Sequence, residues 1–217
     1  MIFKRCILMI GLMLVVLLSG CARPDKILAS KHFLVRSPAS RQAELAKIET
    51  WRIDGAFSMK QPGQKTGIAD YVWTQQSRKN YRISITSPLN LYFVQIIREY
   101  GTVKLWKNTT HVSTAKTPEG LMQIALGWSL PVSQMSSWIK GMPSEKAGRY
   151  HAEYDHFGHL VLLEQSGWTM HYGVYKRYDG DLDFPHEMTM ERLGFCVKIV
   201  TRDWFLPLYY RQLEVVG

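Results

Sequence analysis

The stretch Trp51-Arg52-Ile53-Asp54-Gly55-Ala56-Phe57-Ser58 decides how this chain of 217 residues is interpreted. Apolar or small residues at positions 51, 53, 55 and 57 alternate with residues that are mostly polar. A period of two is typical of a β-strand with one buried face, and Pro62-Gly63 shortly afterwards is typical of a tight turn. The stretch therefore predicts a strand that leads into a hairpin.

Alternation and short turns continue through most of the remaining chain. They predict ten further strands, at residues 69–74, 81–86, 91–97, 103–106, 111–115, 150–154, 160–165, 168–178, 185–191 and 195–204. Most connections are too short for a crossover, so neighbouring strands are expected to pair antiparallel. About eleven twisted strands in one sheet tend to curl, which predicts a mainly β fold, as a barrel or half-barrel.

Three helices are predicted outside the strands. The first spans residues 37–49, with a serine N-cap and a proline at its first position. The second and third span residues 117–127 and 131–141, and each ends at a glycine. The last two helices are strongly apolar, so they must be buried against a sheet or in the mouth of a barrel.

The strands and the two middle helices carry more apolar side chains than a small sheet needs. These residues could pack together as a solid core, or they could line a cavity for a lipid-sized ligand. The residues alone leave both interpretations open. The candidate cavity residues are Phe57, Ala69, Tyr71, Trp73, Ile83, Ile85, Tyr92, Val94, Ile96, Leu121, Ile124, Leu126, Met135 and Trp138.

The first twenty-one residues have the features of a secretory signal. Lys4 and Arg5 precede an apolar run at residues 7–18, which is shorter than the roughly twenty residues needed to cross a bilayer. Leu18-Ser19-Gly20-Cys21 resembles the lipobox of bacterial lipoproteins, which implies that Cys21 is acylated after cleavage. Ala22 implies the outer membrane, because an aspartate there would resemble the inner-membrane retention signal. The alternative is an ordinary signal peptide that happens to end at a cysteine.

The chain is expected to have three parts: a signal peptide at residues 1–20, a flexible tether at 21–36 and a single domain at 37–217. The whole sequence has a formal net charge of +9, which becomes about +7 once Lys4 and Arg5 are removed. In a periplasm without nucleic acid, this excess favours anionic lipid head groups or an acidic protein partner. A solvated basic surface without a partner explains the charge equally well.

The sequence contains no recognisable catalytic motif. It lacks G-x-S-x-G, H-E-x-x-H, a phosphate-binding loop and paired cysteine motifs, so no catalytic residue, metal or cofactor is predicted. Cys196 has no partner for a disulfide in the cleaved, acylated chain, and a buried core thiol is the expected role. Two loose clusters are weak candidates for metal sites: His156 with His159, and Asp179, Asp181 and Asp183, which are better explained as a polar hairpin.

Beginning at residues 51–58, the chain resembles the LolB family of outer-membrane lipoprotein receptors. The likeness covers roughly residues 49–204, and its specificity comes from the order of its segments together with the lipobox. Those segments are Tyr71-Val72-Trp73, Tyr81-Arg82-Ile83, Ser87-Pro88-Leu89, Met135-Ser136-Ser137-Trp138-Ile139-Lys140-Gly141-Met142-Pro143, Trp168, Tyr172-Gly173, Pro185 and Trp204. Two departures are Asn90, where a glycine is common in the family, and the continuation of the chain at residues 205–217.

The resemblance implies an open, eleven-stranded antiparallel barrel plugged by helices, with an apolar cavity for acyl chains and no enzymatic activity. It also implies a monomer, anchored through Cys21 on the periplasmic side of the outer membrane. Such a protein receives lipoproteins from the periplasmic carrier LolA and inserts them into the inner leaflet. Pro88 and Leu89 match a family loop whose protruding leucine places the cargo in the membrane.

Three other functions compete with this hypothesis. The first is a lipoprotein that binds and transfers phospholipid or glycolipid instead of lipoproteins. The second is a lipid esterase that uses Cys196 or a histidine, and the third is a structural lipoprotein with a solid core. For Leu89, the alternative is a hairpin residue that packs inward.

Overall fold

The computed structural model describes residues 33–108, 110–126, 129–179 and 182–207. All of the described residues belong to one compact unit. The predicted signal, Cys21, most of the tether and the last ten residues therefore lie outside the described residues. No helix within the described ranges combines the length and the apolar character needed to span a membrane.

The described residues form three α-helices and thirteen β-strands. The helices are α1 Pro38–Lys47, α2 Pro118–Leu126 and α3 Val132–Trp138. The strands are β1 Trp51–Lys60, β2 Gly67–Gln75, β3 Tyr81–Thr86, β4 Phe93–Glu99, β5 Thr102–Lys107, β6 Thr110–Ala115, β7 Tyr150–Tyr154, β8 Leu160–Gln165, β9 Trp168–Tyr172, β10 Tyr175–Asp179, β11 Leu182–Pro185, β12 Glu187–Arg192 and β13 Phe195–Phe205.

Eleven of these strands form one antiparallel sheet in the order β6-β5-β4-β3-β2-β1-β13-β12-β9-β8-β7. The sheet is open, because its end strands β6 and β7 do not pair with each other. Strands β10 and β11 form a separate two-stranded ribbon. The predicted fold class, mainly β with an open antiparallel barrel of about eleven strands and three helices, is confirmed.

The predicted long strand at residues 168–178 is in fact two strands. β9 ends at Tyr172, and after Gly173 and Val174 the chain leaves the main sheet as β10, which pairs only with β11. The Tyr175 hydroxyl donates a hydrogen bond to the Leu160 carbonyl oxygen at 2.9 Å, and Phe184 stacks on Trp204 with ring centroids 4.2 Å apart. These buried contacts hold the ribbon against the main sheet.

A glycine allows the central strands to approach one another closely. The register between β1 and β13 shifts at Asp54 and Gly55, which is a β-bulge. A Cβ atom on Gly55 would lie 2.0 Å from the Val200 carbonyl oxygen and 2.9 Å from the Tyr71 ring. Only a residue without a side chain fits there, so Gly55 permits the local bend in the middle of the sheet.

Helix α1 begins as predicted, but its buried face is partly charged. The Ser37 hydroxyl accepts a hydrogen bond from the Ser40 amide at 3.2 Å and caps the helix. Leu45 and Arg41 are buried, whereas Ala43 is exposed. Arg41 lies on the buried face because it donates a hydrogen bond to the Asp183 carbonyl oxygen on the ribbon.

Asp183 lies in the hairpin formed by β10 and β11, and it is the centre of a buried ionic cluster. Its carboxylate lies 3.6 Å from Arg41 Nη1, 3.3 Å from Arg177 Nε and 3.3 Å from His159 Nε2. Burial alone would raise the pKa of this carboxyl, but the hydrogen bond from His159 and the charges of Arg41, His159 and Arg177 hold it below its usual value. Asp183 therefore joins α1, the ribbon and the β7–β8 turn.

Candidate functional site: an apolar cavity and a leucine loop

A cavity lies between one face of the sheet and the helices α2 and α3. Its volume is about 580 Å³, including the space that is open to solvent at its mouth. Strands β1 to β4 and β13 supply one wall, and α2, α3 and the residues flanking α3 supply the other. The interior is therefore not a solid core, which argues against a purely structural lipoprotein.

Seven of the predicted cavity residues line this space. Their side chains lie on alternate positions of the strands or on α3, as the period of two and the helical period require. They are Phe57, Tyr71, Trp73, Ile83, Ile85, Ile96 and Met135.

The structure places six of the other seven predicted residues elsewhere. Ala69, Val94, Leu121 and Trp138 are buried in the core beside the cavity without lining it. Tyr92 is 41% exposed because it lies in the loop before β4, and Ile124 is 76% exposed on α2. The side chain of Leu126 is outside the described part of the chain.

Six lining residues escaped the sequence analysis. They are Met122, Leu130, Val132, Ile139, Val197 and Ile199. Val197 and Ile199 follow the alternation of β13, so that signal was available. The helical residues carry no such signal, because α2 and α3 are apolar on more than one face and the sequence does not show which face meets the sheet.

The polar atoms of the cavity wall are paired. The Tyr71 hydroxyl shares a hydrogen bond with Thr201 Oγ1 at 2.9 Å, and Trp73 Nε1 donates to Gln75 Oε1 at 3.0 Å. Burial raises the pKa of Tyr71 far above its usual value, so this hydroxyl stays neutral. The cavity therefore presents apolar surfaces, which suit hydrocarbon chains and offer no acid–base chemistry.

Buried hydrogen bonds fix the C-terminal end of α3 over the sheet. Trp138 Nε1 donates to Gln165 Oε1 at 2.8 Å, and the Tyr172 hydroxyl donates to the Trp138 carbonyl oxygen at 3.0 Å. Gln165 Oε1 also accepts a hydrogen bond from the Ser144 amide at 2.9 Å, and Gln165 Nε2 donates one to the Ser144 carbonyl oxygen at 2.8 Å. This end of the cavity wall is therefore held to β8 and β9.

The loop between β3 and β4 pushes one leucine into solvent. Pro88–Asn90 form a short 3₁₀ turn, which Ser87 closes by accepting a hydrogen bond from the Tyr92 amide at 2.9 Å. Leu89 is 90% exposed with φ 59°, so it does not pack inward. Asn90 has φ 55°, a conformation that asparagine tolerates better than most residues, which accounts for its presence where the family commonly has glycine.

Among the described residues, the candidates for other chemistry form no reactive site, and Asp181 lies outside those residues. Cys196, expected in the core, is half-buried on β13, where burial and the neighbouring Glu191 carboxylate raise its thiol pKa and disfavour the thiolate. His159 lies between Asp155 and Asp183 in the ionic cluster. Within the described ranges, no group of three or more histidine, cysteine, aspartate or glutamate residues could hold a metal ion.

An open antiparallel sheet over an apolar cavity defines a class of proteins that accommodate hydrocarbon chains. The sequence model described as "Outer membrane lipoprotein LolB" matches residues 49–204. The chain belongs to the LolB family. Family membership makes it a non-enzymatic protein of lipoprotein trafficking, with a receptor function for lipoprotein cargo in the LolA pathway, and supports an outer-membrane location.

Individual relatives agree over most of their length. An outer-membrane lipoprotein LolB of Coxiella burnetii (strain RSA 493 / Nine Mile phase I) is 42% identical over 191 residues, which cover 87% of this chain and 88% of the relative. One from Cellvibrio japonicus (strain Ueda107) is 31% identical over 210 residues, covering 94% and 99%. The crystal structure of a LolA superfamily protein from Nitrosomonas europaea matches with a TM-score of 0.51 and 12% identity, over 80% of this chain and 94% of that one, which shows a shared fold.

Proposed function

We propose that this chain takes the acyl chains of lipoproteins from the periplasmic carrier LolA into its cavity and passes them to the inner leaflet of the outer membrane. It acts as a monomer that is anchored through acylated Cys21 and faces the periplasm. The observation that carries the proposal is the cavity between the sheet and α2–α3, whose walls present only apolar surface.

The free-energy cost of exposing acyl chains to water means that the cargo needs a receiver with an apolar binding site. A lipidated cargo exposes some tens of methylenes, and each costs about 0.8 kcal/mol when it is left in water. Free diffusion across the periplasm is therefore excluded, and the receiver must offer apolar contact comparable to that of the carrier. Transfer in one direction then needs only a modest difference in affinity, since about 1.4 kcal/mol corresponds to a tenfold preference.

The size of the cavity limits what it holds at one time. The volume of about 580 Å³ includes space at the mouth that is open to solvent, so the enclosed part holds less hydrocarbon than this figure suggests. A cargo with three acyl chains therefore needs the wall to open further, or leaves part of its hydrocarbon at the mouth.

Leu89 provides the contact with the membrane at which the cargo is released. Pro88 fixes the backbone just before the exposed leucine, which lowers the entropy lost when the loop is held in one conformation. Burial of one leucine side chain in the bilayer contributes about 1.5–3 kcal/mol. This is enough to bring the cavity repeatedly to the membrane without holding it there permanently.

The cavity can be tested by blocking it. Leu130 is a half-buried lining residue outside the helices and strands, so Leu130→Trp fills part of the space without disturbing strand pairing. We expect residues 22–217 carrying this substitution to accept much less labelled lipoprotein from carrier than the unsubstituted protein. Ile124→Trp is the matched control, since Ile124 is exposed on the neighbouring helix.

Two results of this transfer assay would contradict the proposal. One is equal uptake by Leu130→Trp and the unsubstituted protein, which would mean that acyl chains do not enter the cavity. The other is uptake of free phospholipid with no uptake of carrier-bound lipoprotein, which would support the lipid-transfer alternative.

A further inference from the structure

We propose that Leu193, in the turn between β12 and β13, is a second membrane anchor. It acts with Leu89 to bind one end of the strands, where both turns lie, to an anionic phospholipid bilayer. The proposal rests on the membrane-release function proposed for Leu89 and extends it to a second turn. Leu193 is 91% exposed, which is as much as Leu89.

The two leucines lie in turns at the same end of the strands. In an antiparallel sheet, every second connection emerges on the same side, and here these include the β1–β2, β3–β4, β8–β9 and β12–β13 turns. Close approaches join neighbouring turns: a Cβ on Gly194 would lie 3.2 Å from Pro62 Cγ, and one on Gly167 would lie 3.8 Å from Arg192 Nε. We call this group of turns, formed by residues 61–66, 87–92, 166–167 and 193–194, the leucine rim.

Leu193 has an unfavourable conformation for its residue type. Its φ is 50°, in the left-handed region, and Leu89 has φ 59°. Leucine pays a steric cost there, and asparagine or glycine is preferred at both central positions of such a tight hairpin turn. The turn therefore exposes an apolar side chain at a position where a smaller or polar residue would be less strained.

Positive charge surrounds the rim. Six exposed basic residues lie in its turns or at the adjoining strand ends, against three exposed glutamates, Glu145, Glu164 and Glu191. The basic residues are Lys60, Lys65, Lys107, Lys146, Arg149 and Arg192. Anionic lipid head groups attract lysine and arginine side chains that approach the surface, so the charge and the leucines favour the same partner.

The spacing of the leucines favours a bilayer over a protein partner. The β3–β4 and β12–β13 turns are four strand spacings apart in the sheet, which separates them by roughly 19 Å measured along the sheet. The exposed apolar residues of the β3–β4 turn, Leu89, Leu91 and Tyr92, are separated from Leu193 by the mostly polar β1–β2 turn, so the rim lacks the single contiguous apolar patch that a protein interface usually requires. A fluid bilayer can accept each leucine independently, and two contacts fix the orientation of the cavity relative to the membrane.

The chain offers a matched pair of variants for testing the proposal. Leu193→Asn creates the preferred Asn-Gly turn with Gly194, so the variant should fold at least as well as the parent. Tyr100 precedes Gly101 in a turn of the same kind at the opposite end of the strands. Its φ is 50° and its side chain is 97% exposed. Tyr100→Asn therefore makes the same change of turn in a place that does not face the proposed membrane.

The experiment is flotation of residues 22–217, which retain every described residue, with vesicles of phosphatidylethanolamine and phosphatidylglycerol. We expect Leu193→Asn to lower the vesicle partition coefficient about tenfold or more, and Tyr100→Asn to leave it unchanged. Added salt should weaken binding of the unsubstituted protein, and Lys65→Gln should weaken it about fivefold, since Lys65 lies in the rim.

Three outcomes would overturn the proposal: no vesicle binding by the unsubstituted protein, unchanged binding by Leu193→Asn, or equal losses for Leu193→Asn and Tyr100→Asn. Uptake of carrier-bound lipoprotein, measured in parallel, separates this failure from failure of the proposed receiver function. If Leu193→Asn floats normally but no longer accepts cargo, the turn contacts the carrier and the membrane proposal is wrong.

Discussion

The buried side chain of Lys140 donates a hydrogen bond from Nζ to the main-chain oxygen of Leu45 at 2.9 Å. The same nitrogen donates to the Ile48 carbonyl oxygen at 3.0 Å. Both acceptors lie at the C-terminal end of α1, where helical carbonyl groups lack partners within the helix and carry partial negative charge. Lys140 therefore caps α1 from the segment that follows α3.

The buried ammonium of Lys140 should make stability depend on pH. Burial lowers the pKa of Lys140 from 10.5 to about 8. Between these values the native side chain is neutral while the unfolded one still binds a proton, so its contribution to the free energy of unfolding rises with pH. We expect the stability of the parent relative to Lys140→Met to increase from pH 8 to pH 10.5, by up to about 3 kcal/mol.

Urea unfolding of both proteins at several pH values measures this difference. Subtraction of the Lys140→Met curve removes the contributions of all other titrating groups, including the buried tyrosines. Lys79→Met, a substitution of an exposed lysine in a turn, is the matched control for loss of a positive charge. A difference between parent and Lys140→Met that does not change between pH 8 and pH 10.5 would contradict the prediction.

Asp183→Asn should destabilise the protein at neutral pH. The substitution removes the carboxylate that pairs with Arg41 and Arg177 and hydrogen-bonds His159, and loss of one partner from a buried ionic cluster costs about 3 kcal/mol. Because the folded pKa of Asp183 lies below its value of 3.8 in the unfolded chain, this stabilisation is present above pH 3.8 and is lost as pH falls through the folded value.

Thermal unfolding at pH 7 and at progressively lower pH tests this prediction. The gap between the parent and Asp183→Asn should shrink as the carboxyl becomes protonated. Asp203→Asn, at an exposed position on β13, should change stability at pH 7 by no more than about 0.5 kcal/mol. If the two variants behave alike, the cluster does not hold α1 and the ribbon together.

Gly55→Ala should be unusually damaging for such a small change. The new methyl group would lie 2.0 Å from the Val200 carbonyl oxygen, which is backbone and can move only by disturbing the pairing of β1 with β13. We expect a loss of about 2–3 kcal/mol in chemical denaturation. Gly67→Ala on the adjoining strand is the control, because its methyl group would meet only the Met59 carbonyl oxygen, at 3.9 Å. Similar losses for both variants would refute the close-packing argument.

The pattern of residues 51–58 predicted the sheet well because one-sided burial imposes a period of two on each strand. The same rule failed after Tyr172, where the alternation continues while the strand leaves the main sheet, because alternation does not encode the choice of pairing partner. The burial of Arg41 and Lys140 also escaped prediction. A charged residue is usually exposed, and its partners here are distant in sequence, so only the tertiary structure shows them.

Predicting the cavity met a similar limit. The alternation along β2 correctly predicted that the side chains of Tyr71 and Trp73 point to the cavity side of the sheet, because the flanking turns fix which residues of the strand point inward. Ile124 was assigned to the cavity although it is exposed on α2, because a helix that is apolar on several faces does not show in its sequence which face is buried. Whether apolar walls meet or leave space depends on how closely the helices approach the sheet, which local patterns do not specify.

Leu89→Asn should separate acceptance of cargo from its delivery. Asparagine tolerates the left-handed conformation of this position, so the loop between β3 and β4 should keep its shape, and the cavity is unchanged. We expect normal uptake of lipoprotein from the carrier, but at least about tenfold slower transfer to vesicles, because the variant loses the burial of one leucine in the bilayer. Tyr100→Asn, in a turn at the opposite end of the strands, should deliver cargo at the parental rate. Unimpaired delivery by Leu89→Asn would show that this leucine has no part in release, and the path from cavity to membrane would then have to run elsewhere.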